Sequence, residues 1–332
     1  MQIMGKTLDQ WLFTNKEQIA FLQQWIKADK YKLSTHDFCR ALIENGDSTL
    51  KAIGQAGLEA PGQGKSFSDV LEGWLPPVVL ATIKASEKAG KRYYGIMTAV
   101  DQLQGGENII AQIVRIMAFP YILTVGFGFY GVYIADKMLI TIDYAPGLGL
   151  TVRNIMTTYG PWVSVLVLFL MVIMAIALPN WSGSTRETTD SLPLFSLYRT
   201  AVAATILKTL ANLNSCGMKL DDALEEIEQH NTPFVKYHIK KMRQQAIGQT
   251  NLGLILDTGL LLPYELSAMK TLGSTVDYSL LLKEGAQSHS ENTKQRIARL
   301  KAVLPKAGIF AAILVLGSLI VSSTYQLYTS FM

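Results

Sequence analysis

Three stretches of this 332-residue chain carry no charged side chain, and they limit what it can fold into. Ile116 to Ala135 is twenty residues without a charge, with apolar residues continuing upstream to Ile109. Pro161 to Pro179 adds nineteen more, inside a charge-free window from Asn154 to Thr185, and Ala307 to Met332 is uncharged throughout. Each can cross roughly 30 Å of hydrocarbon as a helix. Helices buried in soluble cores rarely run so long without a charge, so three membrane spans are expected. Hydrophobic residues at 49% and charged residues at only 17% fit spans mixed with water-exposed parts rather than a disordered chain or an ordinary soluble enzyme. A net charge of +4, dispersed along the chain, does not suggest nucleic acid.

Basic residues near the span ends set the expected orientation. The connection from Ala135 to Gly160 holds only Lys137 and Arg153, whereas Arg186 follows the second span and Lys294, Arg296, Arg299, Lys301 and Lys306 lead into the third. The large 180–305 segment is therefore expected in the cytoplasm, the N-terminal domain with it, and the short C-terminus outside. The first thirty residues, with Lys6, Asp9, Lys16, Glu17 and Lys27, hold no apolar run of signal-peptide length. The expected organisation is an amphipathic segment 1–33, a helical domain 34–111, a span 112–135, an external loop 136–159, a span 160–179, a second helical domain 180–305 and a span 306–328.

In the polar parts the apolar spacing is helical. Ile19, Leu22 and Ile26 share a face, so residues 1 to 33 read as an amphipathic helix that packs on the next domain or lies on a membrane surface. Ser34 with Asp37 has the form of a capping box, and a helix is expected from there to Asn45-Gly46. A second follows around Leu50, Ile53 and Leu58, a loop spans 60–65, and Ser66 to Trp74 is helical until Leu75-Pro76-Pro77 breaks it. Two further helices separate near Gly90. In the second domain, Ala203, Ile206, Leu207, Leu210 and Leu213 mark one helical face. Gly217 can take positive φ and end that helix, and Leu220, Ala223, Leu224 and Ile227 restart the spacing. Asp221, Asp222 and Glu225 crowd the new first turn, where free N–H groups and the helix dipole favour acidic side chains.

The two polar segments echo one another. With Gly46 set against Gly217, Leu42 faces Leu213, Ala52 faces Ala223 and Ile53 faces Leu224. Gly64-Lys65-Ser66 then pairs with Gly248-Gln249-Thr250, Leu75-Pro76 with Leu262-Pro263, and Glu87 and Gly90 with Ser274 and Asp277. In this register the first copy is about sixteen residues shorter between its glycine and its Leu-Pro. On these residues the chain resembles the inner-membrane platform proteins of type IV pilus assembly and type II secretion, the secretion F family, over roughly residues 34 to 330. Leu207-Lys208-Thr209-Leu210 and Ser215-Cys216-Gly217-Met218-Lys219-Leu220-Asp221-Asp222-Ala223-Leu224 match the family's Leu-rich helix and small-Gly-x-x-Leu-x-x-Ala-Leu element, and Pro305 before the third span also fits. The family's acidic Gly-Glu-x-Ser-Gly element survives only in the first copy, as Ser86-Glu87-Lys88-Ala89-Gly90; the second reads Gly273-Ser274-Thr275-Val276-Asp277. Such departures suit a divergent member of the type IVb pilus kind.

Few residues suggest chemistry. Pro61-Gly62-Gln63-Gly64-Lys65-Ser66 imitates a P-loop, but Glu59 stands where the first glycine belongs and no strand precedes it. Gly126-Phe127-Gly128-Phe129-Tyr130-Gly131 fits GxGxxG inside a span, where small residues serve helix packing instead, as do Gly308 and Ala312. His36, His230, His238 and His289 have no partner placed for a metal site and are expected in exposed or capping roles. Cys39 and Cys216 have no metal spacing and read as buried thiols. The spans hold no ionisable residue except tyrosines, which disfavours an ion pump. Lys236, Lys240, Lys241 and Arg243 form a basic helix face that is solvated or faces lipid headgroups. Glu87 either binds a basic patch on a partner or is a solvated helix-end charge.

The expectation is an all-α membrane protein with two duplicated cytoplasmic helical-bundle domains and three transmembrane helices. The resemblance implies a non-enzymatic, cofactor-free platform in the bacterial inner membrane. It would couple a cytoplasmic hexameric assembly ATPase to polymerisation of pilin or pseudopilin subunits, together with other inner-membrane assembly proteins and as a homo-oligomer, at least a dimer. Gly46, Glu87, Gly90, Gly217, Leu220 and Ala223 are the candidate structural or partner-contact residues. The alternatives are a membrane component of a transporter, for which polar residues lining the spans are missing, and a membrane-anchored signalling scaffold, for which a sensor domain is missing.

Overall fold

The computed structural model describes residues 2–3, 6–105, 109–229 and 231–332. Among the described residues, after a two-residue antiparallel pairing of Gln2–Ile3 with Lys6–Thr7, every further regular element is helical. The first helices are α1 (Leu8–Leu12), α2 (Asn15–Lys30), α3 (Thr35–Asn45), α4 (Ser48–Glu59), α5 (Phe67–Val70), α6 (Pro77–Lys88) and α7 (Arg92–Gly105). Next come α8 (Ile109–Leu139), α9 (Leu148–Asn180) and α10 (Ser184–Thr189). The last are α11 (Pro193–Ser215), α12 (Leu220–Gln229), α13 (Pro233–Ala246), α14 (Leu252–Ile255), α15 (Pro263–Leu272) and α16 (Tyr278–Phe331). These helices form two compact units, 1–107 with 199–290 and 108–198 with 291–332.

Helix ends follow local chemistry. Thr14 and Glu17 form a reciprocal capping box that starts α2 and splits the expected N-terminal helix into α1 and α2. Ser34, Asp47, Ser66 and Asn251 each accept a backbone N–H as N-caps of α3, α4, α5 and α14. Pro77, Pro233 and Pro263 sit at the first helical position, where a missing N–H costs nothing. Packing on the domain, not lying on a membrane surface, is the fate of α2: Phe21, Leu22 and Trp25 join Phe38, Phe67, Leu71, Ile83 and Ile96 in one core. The Trp25 ring meets Phe67 edge-on at 5.0 Å and stacks on Phe38 at 6.4 Å.

Helix order and burial recur within this first unit, in a register other than the one the glycines suggested. Phe38, Cys39, Leu42, Ile53, Phe67 and Leu71 are buried, and so are Ala223, Leu224, Ile227, His238, Leu252 and Leu256, each 185 positions later. The same offset takes Phe13, Phe21, Leu22 and Trp25 to the buried Tyr198, Ile206, Leu207 and Leu210. From Ile83, Ile96 and Leu103 to Met269, Leu282 and His289 it is 186. Thus α2 to α7 correspond in order to α11 to α16, and the sixteen-residue difference disappears: the sequence register had set α3 against α11 instead of α12. Lys32, not Gly46, holds the place of Gly217, and both have positive φ, 56° and 91°.

One expectation about histidine is corrected, for His238, while His289 takes a helix-end role from a buried position. His238 is buried, its Nδ1 3.2 Å from the Thr258 hydroxyl, at the position matching Ile53. His289 is also buried; its Nε2 accepts the Leu262 N–H at 2.9 Å at the entry to α15, and its Nδ1 donates to the Gly285 carbonyl at 2.7 Å. Only the second of these serves a helix end. His36 is exposed beside Asp37, and His230 lies outside the described residues.

The second unit carries the apolar helices. Among the described residues, three helices are long and apolar enough to cross a membrane, and only 6%, 11% and 17% of their most apolar windows is buried within the chain. Phe119, Ile122, Phe129, Trp162, Leu166 and Phe310 instead face outward, as a lipid surface requires. Some expected small-residue contacts exist: a Cβ on Gly131 would lie 2.8 Å from Leu319, one on Gly308 would collide with Pro120, and Ala312 is buried. Gly126, by contrast, faces open space. Pro305 does not end a helix; α16 runs through it. At the other end of α9, Arg186 is 1% exposed and pairs with Asp190 at 2.9 Å. Its guanidinium also donates to the Ala177 and Leu178 carbonyls, at 3.5 and 3.4 Å, and lies 4.4 Å from the Phe195 ring centre. Arg186→Met should therefore destabilise the protein by about 3–5 kcal/mol, because it leaves Asp190 buried without its guanidinium. Arg186→Met with Asp190→Leu should recover most of that loss. Thermal unfolding in detergent checks both.

Candidate functional site

The acidic loop of the first half and the glycine corner of the second meet. Helix α6 ends at Gly90, whose φ of +69° lets the Lys91 N–H return to the Ser86 carbonyl at 2.7 Å. Helix α11 ends the same way: Gly217 has φ +91°, and the Met218 N–H reaches the Leu213 carbonyl at 3.1 Å. A Cβ on Gly217 would lie 3.7 Å from that of Ala89, so these two corners touch. Leu220, half-buried, opens α12, and Ala223 is fully buried one turn on.

Of the six residues singled out from the sequence, Gly217 sits at this corner against Ala89 with Leu220 and Ala223 in the helix that follows, Glu87 and Gly90 end α6 beside Ala89 and line the neighbouring groove, and Gly46 lies elsewhere. Gly46 ends α3 with ordinary extended backbone (φ −85°); it is there for space, since a Cβ would collide with the Leu42 carbonyl. Glu87 is not simply a solvated charge. Its Oε2 accepts the Ser68 hydroxyl at 2.5 Å, tying the end of α6 to α5. Beside it, Asp69 pairs with Lys84 at 2.8 Å and accepts from Ser66, which holds its carboxyl well below the usual range.

A cleft of about 680 Å³ opens between α6 and the α11–α12 corner. From one side come Lys84 and Lys88, from the other Asp222 and Glu226, with Glu72 at the margin. A second groove, about 790 Å³, runs past Glu87, Lys65, Lys91 and Tyr94, with Arg92 bonded to Asp29 at 2.8 Å on its wall. Both surfaces are charged and open, suited to polar contacts with a macromolecule. Neither offers an activated nucleophile: burial pushes the Cys39 thiol up to about 11 and raises that of Cys216, so both stay protonated. Among the described residues, no group of three or more His, Cys, Asp or Glu side chains is placed to hold a metal ion.

Part of the expected basic face is not free. Arg243 donates to Glu228 at 2.9 Å and Glu225 at 3.1 Å and lies 3.5 Å from Asp221, so acidic residues along the whole of α12 take up this cation. Lys241 lies 4.5 Å from the Tyr237 ring centre, while Lys236 and Lys240 stay exposed. Spacing missed the Arg186–Asp190 pair, although Arg and Asp four residues apart after a span was a usable signal.

Among proteins of known role, the toxin coregulated pilus biosynthesis protein E of Vibrio cholerae serotype O1 is similar to this chain. The two are 21% identical over 251 residues, which cover 72% of this chain and 74% of that protein. No family model matches the chain.

Gly217→Ala should cost about 1–2 kcal/mol, the penalty for a side chain in left-handed backbone, and Gly217→Val more. Lys32→Gly at the matching corner should be neutral or stabilising, since it relieves the same conformation. Chemical unfolding of the three variants checks this contrast; equal effects at both corners would refute it.

Proposed function

We propose that this chain is the inner-membrane platform of a type IV pilus or type II secretion assembly machine. It acts without catalysis, passing the motion of a cytoplasmic hexameric ATPase to pilin or pseudopilin subunits as they leave the membrane and polymerise. The observation that carries this reading is the similarity to a pilus biosynthesis protein over 72% of the chain, joined to an all-α build with three membrane-spanning helices. The recurrence of α2–α7 as α11–α16 supports a duplicated helical bundle as the working body.

In this reading both halves of that body lie in the cytoplasm of a bacterium and the C-terminus in the periplasm, as the distribution of Lys and Arg around the spans suggests. The ATPase docks on the surface carrying Glu87 and Gly90, beside the corner where Ala89 meets Gly217, with Leu220 and Ala223 supporting that corner from α12, while Gly46 shapes the bundle. Other inner-membrane assembly proteins hold the spans in place. Well-packed helices with short connections suit a part that transmits force.

Deleting the gene in its host should abolish surface pili or pseudopilus-dependent secretion while pilin still accumulates in the membrane. The full chain in detergent should retain the cognate assembly ATPase, and Glu87→Gln, which removes the charge but keeps an oxygen to accept the Ser68 hydroxyl, should weaken that capture with little change in Tm. Normal assembly in the deletion strain, or ATP hydrolysis by the purified chain alone, would overturn the reading.

A further inference from the structure

The contact between the two halves is head-to-tail. The first half offers α6 and the end of α7; the second offers α11, the Gly217 corner and α12. Lys208 reinforces it, its Nζ 3.3 Å from the Asp101 carbonyl. In the repeat register α11 and α12 correspond to α2 and α3, and α6 corresponds to α15. A head-to-tail contact uses a different face of each half, so one chain leaves two complementary faces unused: the α2–α3 corner of the first half and α15 of the second.

Those bare faces keep the character of the occupied ones. Cys216 and Met218 line the cleft where the two halves meet, and Cys216 is 1% exposed. Their counterparts Tyr31 and Leu33 are 79% and 41% exposed, flanking Lys32 with its positive φ. Charge recurs too. Lys84 on α6 and Asp222 on α12 face each other across the cleft, and the matching positions hold Lys270 on α15 and Asp37 on α3. Lys270 is even held like Lys84, by an acidic residue of the preceding segment, here Asp257 at 2.6 Å.

We propose that a second copy of this chain closes both faces, α15 of each copy seating on the α2–α3 corner of the other. Four halves then form a ring of four like contacts, two within chains and two between them. The ring closes at two copies and leaves no face of this kind open. The pairing rests on the repeat register and on the contact within the chain, and it stands whether or not the partner machine is a pilus.

Ala89 and Gly217 touch within a chain, so Thr275 of one copy and Lys32 of the other should touch between chains. Two differently tagged full-length chains, one Lys32→Cys and one Thr275→Cys, are co-expressed and their membranes mildly oxidised; the native cysteines are buried. A disulfide-linked band carrying both tags is expected, and none when Glu44→Cys, exposed on the far part of α3, replaces Lys32→Cys. Purified wild-type chain should be dimeric in detergent, and Tyr31→Asp, at a site exposed in the single chain, should weaken the dimer by about tenfold. A monomeric wild type, or a dimer that neither cross-links through Lys32→Cys and Thr275→Cys nor responds to Tyr31→Asp, overturns the proposal.

Discussion

Hydrocarbon offers a backbone no hydrogen-bond partner, and the rest of this structure depends on that. Inside a bilayer each N–H and C=O must bond within its own helix, so α8, α9 and the apolar part of α16 cannot afford a loop. Prolines are tolerated within them where neighbouring groups can satisfy what the missing N–H leaves free, and Pro120, Pro161 and Pro305 all lie inside helices. Polar groups gather at the ends. Gln326 near the C-terminus accepts from the Leu150 N–H and donates to the Ala145 carbonyl, pinning the turn between α8 and α9. Arg186 closes the far end of α9. A guanidinium is suited to that place because one planar group can serve a carboxylate, two helix-end carbonyls and an aromatic ring at once.

Away from the spans, ordinary aqueous burial governs. The first half concentrates its stabilisation in a ring cluster of Phe13, Phe21, Trp25, Phe38 and Phe67, while the second fills the matching positions with Tyr198, Ile206, Leu210, Ala223 and Leu252. Aliphatic packing in the second half coexists with two buried imidazoles where the first has Ile53 and Leu103. Both imidazoles have polar partners at hand, which keeps the cost of burying them low. The halves therefore share a scaffold of buried positions rather than a shared set of side chains, and the corner where they meet is built from residues that differ between them.

That difference explains what could be read from the chain and what could not. Spans were legible because absence of charge over twenty residues has few structural meanings. The helix start at Ser34 and the break at Pro76-Pro77 were legible because capping and proline chemistry is local. The register of the repeat was not, because glycine is an ambiguous marker. Gly46 is small to make room and Gly217 is small to turn left-handed, so aligning them joined two unrelated needs, while the true counterpart of Gly217 is a lysine. Burial alternation carries the register, and it shows only once helices are packed. The Thr14–Glu17 cap was present as a motif but hidden by the apolar residues around it. His238 and His289 could not be placed inside, because a lone histidine has no spacing signature until its partners, 20 and 27 residues away, fold against it.

The account stands on three crossings that put residues 180–305 on the same side as the N-terminus. Reporter fusions after Tyr144, Asp190 and Met332 of the full chain test this directly. The account predicts an external signal at Tyr144, a cytoplasmic one at Asp190 and an external one at Met332. An external signal at Asp190 would contradict it.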